Sequence, residues 1–302
     1  MRRLTTTAVL AGLLIVGTRL PAQEKVDYIT PHITDAHHIE LPWFKPPFAK
    51  EVELPRWAPV HIGKFEVDFS PTKHVVFLLL GTTLASLVLV GAARAHKRQI
   101  DTLGHPTGFA AAIEWMVDYF KNDVILPNVG PHGEAFVPFC LALFFFILTG
   151  NLFGLLPWGS TITGNISVTA TLAIISFFVV EIAGMRALGL GYLNTIVYWP
   201  HDMPLMMKAP LTVIMTPIEL LGKITKPFAL AIRLFANMTG GHIVVLAIIG
   251  LVFAFGSWII APLPILGVVA LMFLELLVAF LQAFVFCLLV SVFIGQVRAS
   301  HH

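Results

Sequence analysis

The sequence is poor in charge: only 12% of its 302 residues are Asp, Glu, Lys or Arg, while 57% are hydrophobic. Soluble domains carry roughly twice that charged fraction, so a water-soluble globular enzyme is excluded and an integral membrane protein is indicated. The net charge of +2 is made of a few groups flanking apolar runs, which leaves no basic patch for a nucleic acid. Cysteine is almost absent. Cys140 and Cys287 both lie inside apolar runs, where they read as small buried hydrophobes; a disulfide between them is disfavoured and no metal-ligand spacing exists. No G-x-x-x-x-G-K-[ST] run occurs, so the chain lacks a phosphate-cradling loop of that kind. No internal repeat of useful length appears either, which removes support for an inverted-repeat transporter.

What is present begins with "MRRLTTTAVLAGLLIVGTRLPAQ", a basic start followed by about ten apolar residues and a small residue, Ala22. That run is too short for a bilayer needing ~20 residues. Residues 1–22 therefore read as a cleaved secretory signal, with an uncleaved short anchor as the alternative; either way residues 23–73 are exported. This extension is polar and rich in Pro and His, with His32, His37 and His38 close together. A metal site or a proton-collecting antenna would use such imidazoles. The lack of ligand spacing favours a solvated, loosely structured tail.

Residues 74–298 form the membrane domain, and 299–302 a cytoplasmic tail. A first span starts at His74 and ends at Arg94, Lys97 and Arg98, which face the cytoplasm by the positive-inside rule. In "GFAAAIEWMVDYFKNDVILP", Ile113, Met116, Val117 and Phe120 share one helical face away from Glu114, Asp118 and Lys121, as in a helix lying on the membrane surface. Spans follow over "VPFCLALFFFILTGNLFGLLP" and "NISVTATLAIISFFVVEIAGMR". Glu181, about a turn from the end at Arg186, can snorkel to the interface and receives no role. "LTVIMTPIELLGKITKP" is apolar but interrupted by Pro217, Gly222 and Pro227, and reads as a bent, partial span. Phe228–Phe255 and Pro264–Val297 are long enough to need steep tilt as helices, since the hydrocarbon core is only ~30 Å thick. The fold class is an all-α polytopic membrane protein. It has about five membrane-embedded helices plus an amphipathic surface helix, the last two long and tilted as a hairpin, with the N-terminus exported and the C-terminus cytoplasmic.

From Pro227 to Val297 the only side chains charged at neutral pH are Arg233 and Glu275, with His242 the one further imidazole. An intramembrane charge costs about 3 to over 10 kcal/mol and marks a pathway by default. Counted from a turn centred near Ile259, His242 and Glu275 fall at nearly the same depth, and so do Arg233 and Gln282. Glu275 and Gln282, seven residues apart, share one stripe, and Asn237 follows Arg233 by one turn. Arg233 and His242 are nine residues apart, about half a turn of phase and about 13 Å along a helix, so they point to opposite sides. The pair His242–Glu275 then lines a polar cleft suited to relaying protons, or it staples the hairpin.

"RLFANMTGGHI" followed by "ELLVAFLQAFVF" closely resembles subunit a of F-type ATP synthases, with further likeness in "NLFGLLP", "NISVT" and "TPIELLGKITKPFALAIRLFANM". The likeness runs from about residue 74 to 298. It implies a stator subunit that offers two offset proton half-channels to a rotating c ring, with peripheral-stalk b subunits and the rest of the complex as partners. Neither a cofactor nor a metal is implied. By position Arg233 resembles the essential stator arginine, Asn237 the amide one turn on, and Gln282 the glutamine across from the arginine. His242 and Glu275 stand where many bacterial members carry Glu and His, a swap that keeps one acid and one imidazole. Glu219 resembles an acid of the cytoplasmic-side exit. Some members have an aspartate where this chain has Gly154. The alternative from another class is a self-contained proton or cation transporter using Arg233 and Glu275 as an internal pair.

Overall fold

The computed structural model describes residues 35–42, 49–62, 65–68, 70–156, 159, 161–197, 204–255 and 262–299. Residues 1–22, read from the sequence as a secretory signal, His32 and the turn expected near Ile259 lie outside the described residues. Among the described residues four short strands, β1 (His38–Pro42), β2 (Ala49–Glu53), β3 (Val60–Ile62) and β4 (Phe65–Val67), pair as two antiparallel hairpins, β1 with β2 and β3 with β4. This part of the extension is thus more ordered than a loose tail. It folds back on itself through Leu54 N–H donating to the His37 carbonyl and Trp57 N–H donating to Ser70 Oγ, both at 2.8 Å.

The helices follow: α1 (Lys73–Leu103), α2 (Gly108–Tyr119), α3 (Leu126–Val129), α4 (Val137–Gly154), α5 (Ile166–Leu188), α6 (Leu205–Phe255) and α7 (Pro262–Ala299). Among the described residues five helical stretches are long and apolar enough to cross a membrane, as the sequence indicates. Their ends follow local chemistry. α1 stops at Gly104, whose φ of 74° lets its N–H close on the Ile100 carbonyl. α5 starts at Asn165 of "NISVT", whose side chain accepts from the Ser167 N–H and satisfies an otherwise orphaned donor. Inside α1, Thr82 and Ser86 donate to the carbonyls of Leu78 and Thr82, one turn back, and so carry hydroxyls through an apolar helix without orphaning them.

Two features differ from the sequence reading. The partial span and the penultimate span are one 51-residue helix, α6, which runs through Pro210, Pro217 and Pro227. A proline removes one intrahelical bond and bends a helix without having to end it, and membrane helices tolerate this. At about 77 Å, α6 far exceeds the hydrocarbon thickness. The surface helix differs in its surroundings: α2 continues through a π-helical turn at Phe120–Ile125 into α3. The face anticipated from the sequence does turn inward, but onto protein. Phe120 is buried beside Phe144 and Phe284, with Ile113, Met116 and Val117 packed on the same core. Trp115, 69% exposed, stays outside.

α7 is the central column. Glu275, Ala279, Gln282, Ala283, Phe286, Cys287, Val290, Ser291 and Ile294 are all buried and recur at the helical period. α3, α4, α5 and α6 pack around it. At its far end Arg298 donates to the carbonyls of Val129 and Pro131, and Gly295 lets the Asn128 carbonyl approach so closely that a Cβ would collide with it. Gly295→Ala should therefore destabilise the protein by about 1–3 kcal/mol, read as a lowered thermal midpoint in detergent. Gly91→Ala, where a Cβ meets nothing within 4 Å inside α1, is the control and should not lower that midpoint.

Candidate functional site

α6 and α7 bring His242 and Glu275 together, with Nε2 and Oε1 3.9 Å apart, as the equal-depth count anticipates. Glu275 is 7% exposed. Two glycines make the approach possible. A Cβ at Gly241 would stand 2.8 Å from Glu275 Oε1, and one at Gly154 would stand 2.8 Å from His242 Nε2 while colliding with Thr161 Oγ1. Thr161, just ahead of the short 3-10 turn Ile162–Gly164, touches His242 Nε2 with its hydroxyl. The space that an aspartate would need at position 154 is thus already filled by the Thr161–His242 contact. The departure at Gly154 and the presence of an imidazole at 242 belong to one packing solution.

These side chains line a cavity of about 220 Å³, whose polar walls are His74, Thr161, Thr239, His242 and Glu275. A water takes about 30 Å³ in the liquid, so the space admits several. Thr239 Oγ1 and Glu275 Oε1 are buried without a hydrogen-bond partner among the described residues; buried polar atoms of this kind call for water. Asn151, from "NLFGLLP", braces the wall. Fully buried, it donates to the Ala279 carbonyl of α7 at 3.0 Å and accepts from Thr163 Oγ1 at 2.5 Å.

Arg233 and Asn237 do not line this cavity. Both are exposed on α6, beside the exposed apolar side chains of Phe228 and Ile232. The half-turn offset thus separates an outward arginine from an inward imidazole, as the sequence phase requires. Gln282 is 6% exposed and shares the buried stripe of Glu275; among the described residues no hydrogen bond joins it to Arg233. No ion pair joins Arg233 to Glu275 among them either, so the internal pair that a self-contained transporter requires does not form. Glu219 is exposed on α6, about four turns of helix before Arg233. Among the described residues no group of three His, Cys, Asp or Glu is placed to hold a metal.

Sequence reasoning left Glu181 without a partner. In the structure it lies 3.4 Å from Lys223 Nζ, with side chains 15% and 11% exposed. Lys223 also donates to Tyr192 Oη at 2.8 Å and Thr195 Oγ1 at 3.2 Å. Glu181 is held inside rather than snorkelling. α5, α6 and the 3-10 segment Gly189–Thr195 each supply part of this cluster, so no spacing within one helix announces it. Thr161 was missed for the same reason.

The fold and the site define a polytopic helical membrane protein with a titratable, water-admitting cavity between its last two helices and a cation on the outer face of the same hairpin. Residues 75–295 match the family described as ATP synthase A chain, and the chain belongs to it. It is 42% identical over 277 residues to ATP synthase subunit a of Chloroherpeton thalassium, covering 91% of this chain and 78% of that protein. It is likewise 42% identical over 286 residues to ATP synthase subunit a 2 of Chlorobaculum tepidum, covering 94% and 76%.

If the cavity holds water, cysteines placed on its wall by Val245→Cys or Met272→Cys should react with a membrane-impermeant thiosulfonate. The native Cys140 and Cys287, both buried, should stay silent. Mass spectrometry of the labelled chain reads the result, and silence at both introduced positions would mean a dry cavity.

Proposed function

We propose that this chain is the stator subunit of the membrane sector of an F-type ATP synthase. It supplies two offset proton half-channels to a rotating ring of c subunits, with Arg233 between them. The observation that carries the reading is the placement of Arg233 on an exposed, largely apolar face, half a turn away from the His242–Glu275 cavity. A guanidinium facing lipid costs about 3 to over 10 kcal/mol, so this face needs a partner within the membrane that offers an anion. A mid-membrane carboxylate on a rotating ring meets that need.

The mechanism follows from where charge is tolerated. A ring carboxylate travelling through lipid must be neutral, because an isolated anion there is too costly. Beside Arg233 it can ionise, since a nearby cation favours the charged form. Each carboxylate gives up its proton on the cytoplasmic side, where Glu219 stands on α6, passes Arg233 as an anion, and is reprotonated from the His242–Glu275 cavity. Arg233 cannot relay protons itself because its guanidinium stays protonated, so it blocks a direct wire between the two paths. Asn237, one turn on, shares its face; Gln282 backs the hairpin between ring and cavity.

The chain is not catalytic on its own. Nucleotide chemistry belongs to other subunits of the complex, and b subunits of the peripheral stalk anchor it. It sits in the bacterial inner membrane with its N-terminus exported and its C-terminus cytoplasmic, in keeping with Arg94, Lys97, Arg98 and Arg298 on one side.

In the reconstituted complex Arg233→Ala should abolish ATP-driven proton pumping, measured by quenching of a pH-sensitive dye, and normal coupled pumping would overturn the assignment. Arg233→Lys should also impair it, because a lysine in a dry site can deprotonate. His242→Ala and Glu275→Ala should each slow proton flux, and exchanging the two residues should restore part of it. Normal flux in both single variants would reduce the pair to a structural staple.

A further inference from the structure

The inlet cavity has a fifth polar wall that the mechanism above leaves idle. His74, the second residue of α1, is 3% exposed and lines the same cavity as Thr161, His242 and Glu275. Its Nδ1 lies 2.9 Å from Asp35 Oδ1, an oxygen that also accepts from the His74 backbone N–H at 3.3 Å. Lys73 N–H donates to the Ala36 carbonyl at 2.8 Å, so residues on both sides of the Asp35–His74 contact pin the exported segment to the start of α1. Asp35 and His74 both precede the residues of the family match, 75–295. An acid and an imidazole in contact, one 34% exposed and the other nearly buried, bridge from the surface to the cavity wall.

We propose that Asp35 and His74 form the outermost proton-handling pair of this inlet, collecting protons from the exported side and passing them through cavity water to the His242–Glu275 pair. The step balances without a further reactant. A hydronium ion at the cavity mouth protonates the His74 imidazole and leaves water; the imidazolium gives its proton to a cavity water, which delivers it to the Glu275 carboxylate. Asp35 stabilises the imidazolium while it exists and orients the ring, as a carboxylate does for a working histidine. The groups facing His74 set the pH response. Asp35 comes from the segment before β1, Lys73 adjoins it on α1, and across the cavity stand His242 of α6 and Glu275 of α7. Burial opposes ionisation of Asp35, but the hydrogen bonds and charge of His74 outweigh it and hold the carboxyl below its ordinary range. Asp35 is thus an anion wherever His74 needs one.

In this proposal the described end of the extension joins the conducting path through Asp35 on His74, and not through the imidazoles that the sequence clusters further out. A rigid buried pair with no role in conduction is the competing account, and the two differ in their dependence on pH.

The proposal rests on the inlet reading of the cavity, and the experiment separates the two. The whole complex is reconstituted in phospholipid vesicles, and ATP synthesis is driven by a potassium diffusion potential with equal pH on both sides. His74→Ala and Asp35→Asn should slow synthesis at least about tenfold near ~pH 8, where protons are scarce, and much less near ~pH 6. Free imidazole should restore part of the His74→Ala rate. Profiles that superimpose on the wild type for both variants would overturn the proposal, as would a loss that is equal at all pH values and insensitive to imidazole. If His74→Ala does not assemble, the Asp35→Asn profile decides by the same pH criterion. Glu275→Gln is measured alongside: if it alone blocks synthesis, only the outer pair falls, whereas normal rates in Glu275→Gln would remove the inlet itself.

Discussion

A charge inside a bilayer has to meet protein, water or an opposite charge, and the arrangement of this molecule follows from that constraint. From Pro227 to Val297, the part of α6 and α7 and their connection that is otherwise uncharged, the chain carries two formal charges and one imidazole. Helical phase sends them in different directions. Glu275 turns inward, where it meets His242 and a cavity; Arg233 turns outward, where no hydrogen bond or ion pair reaches it among the described residues. The first placement leaves Glu275 Oε1 beside the cavity without a hydrogen bond among the described residues, and the second puts the guanidinium on the outer face of the hairpin. A subunit that does half of a job in the membrane has this kind of imbalance built into one pair of helices.

The inward half is set up by packing as much as by polarity. Glycines at 154 and 241 are valuable for what they leave out, because any side chain there would occupy the space that Thr161, His242 and Glu275 share. Asn151 ties α4 to α7 and to the 3-10 turn, so the wall on which Thr161 sits is fixed to the column that carries Glu275. Below that level α7 is buried among α3, α4, α5 and α6 through an unbroken stripe. A closely packed column holds the side chains on it, Glu275 among them, at constant spacing from their neighbours.

The outer segments attach to this frame at its two ends. At one end Arg298 clamps α7 to the turn after α3. At the other, Asp35 and the Ala36 carbonyl hold the folded extension to the first residues of α1. Through Asp35 the extension thus reaches the wall of the cavity at His74. The Lys223–Glu181–Tyr192 cluster joins α5 to α6 in a similar way, using one buried cation where three separate elements converge.

By itself the sequence determined the membrane class, the five apolar helices, the equal depth of His242 and Glu275 and the opposite facing of Arg233. All of these are periodicities or counts along a single chain, and a helix of fixed rise converts them directly into positions. Tertiary structure decided the rest, because each remaining feature depends on residues distant in sequence. The union of the partial span with the penultimate helix turned on whether the backbone at Pro227 bends or breaks, which no local pattern settles. Thr161 beside His242, Glu181 against Lys223 and Asp35 on His74 are contacts between separate elements, separated by 81, 42 and 39 residues. Such pairs leave no periodic trace, since their partners are selected by how helices dock and not by where they fall on any one of them.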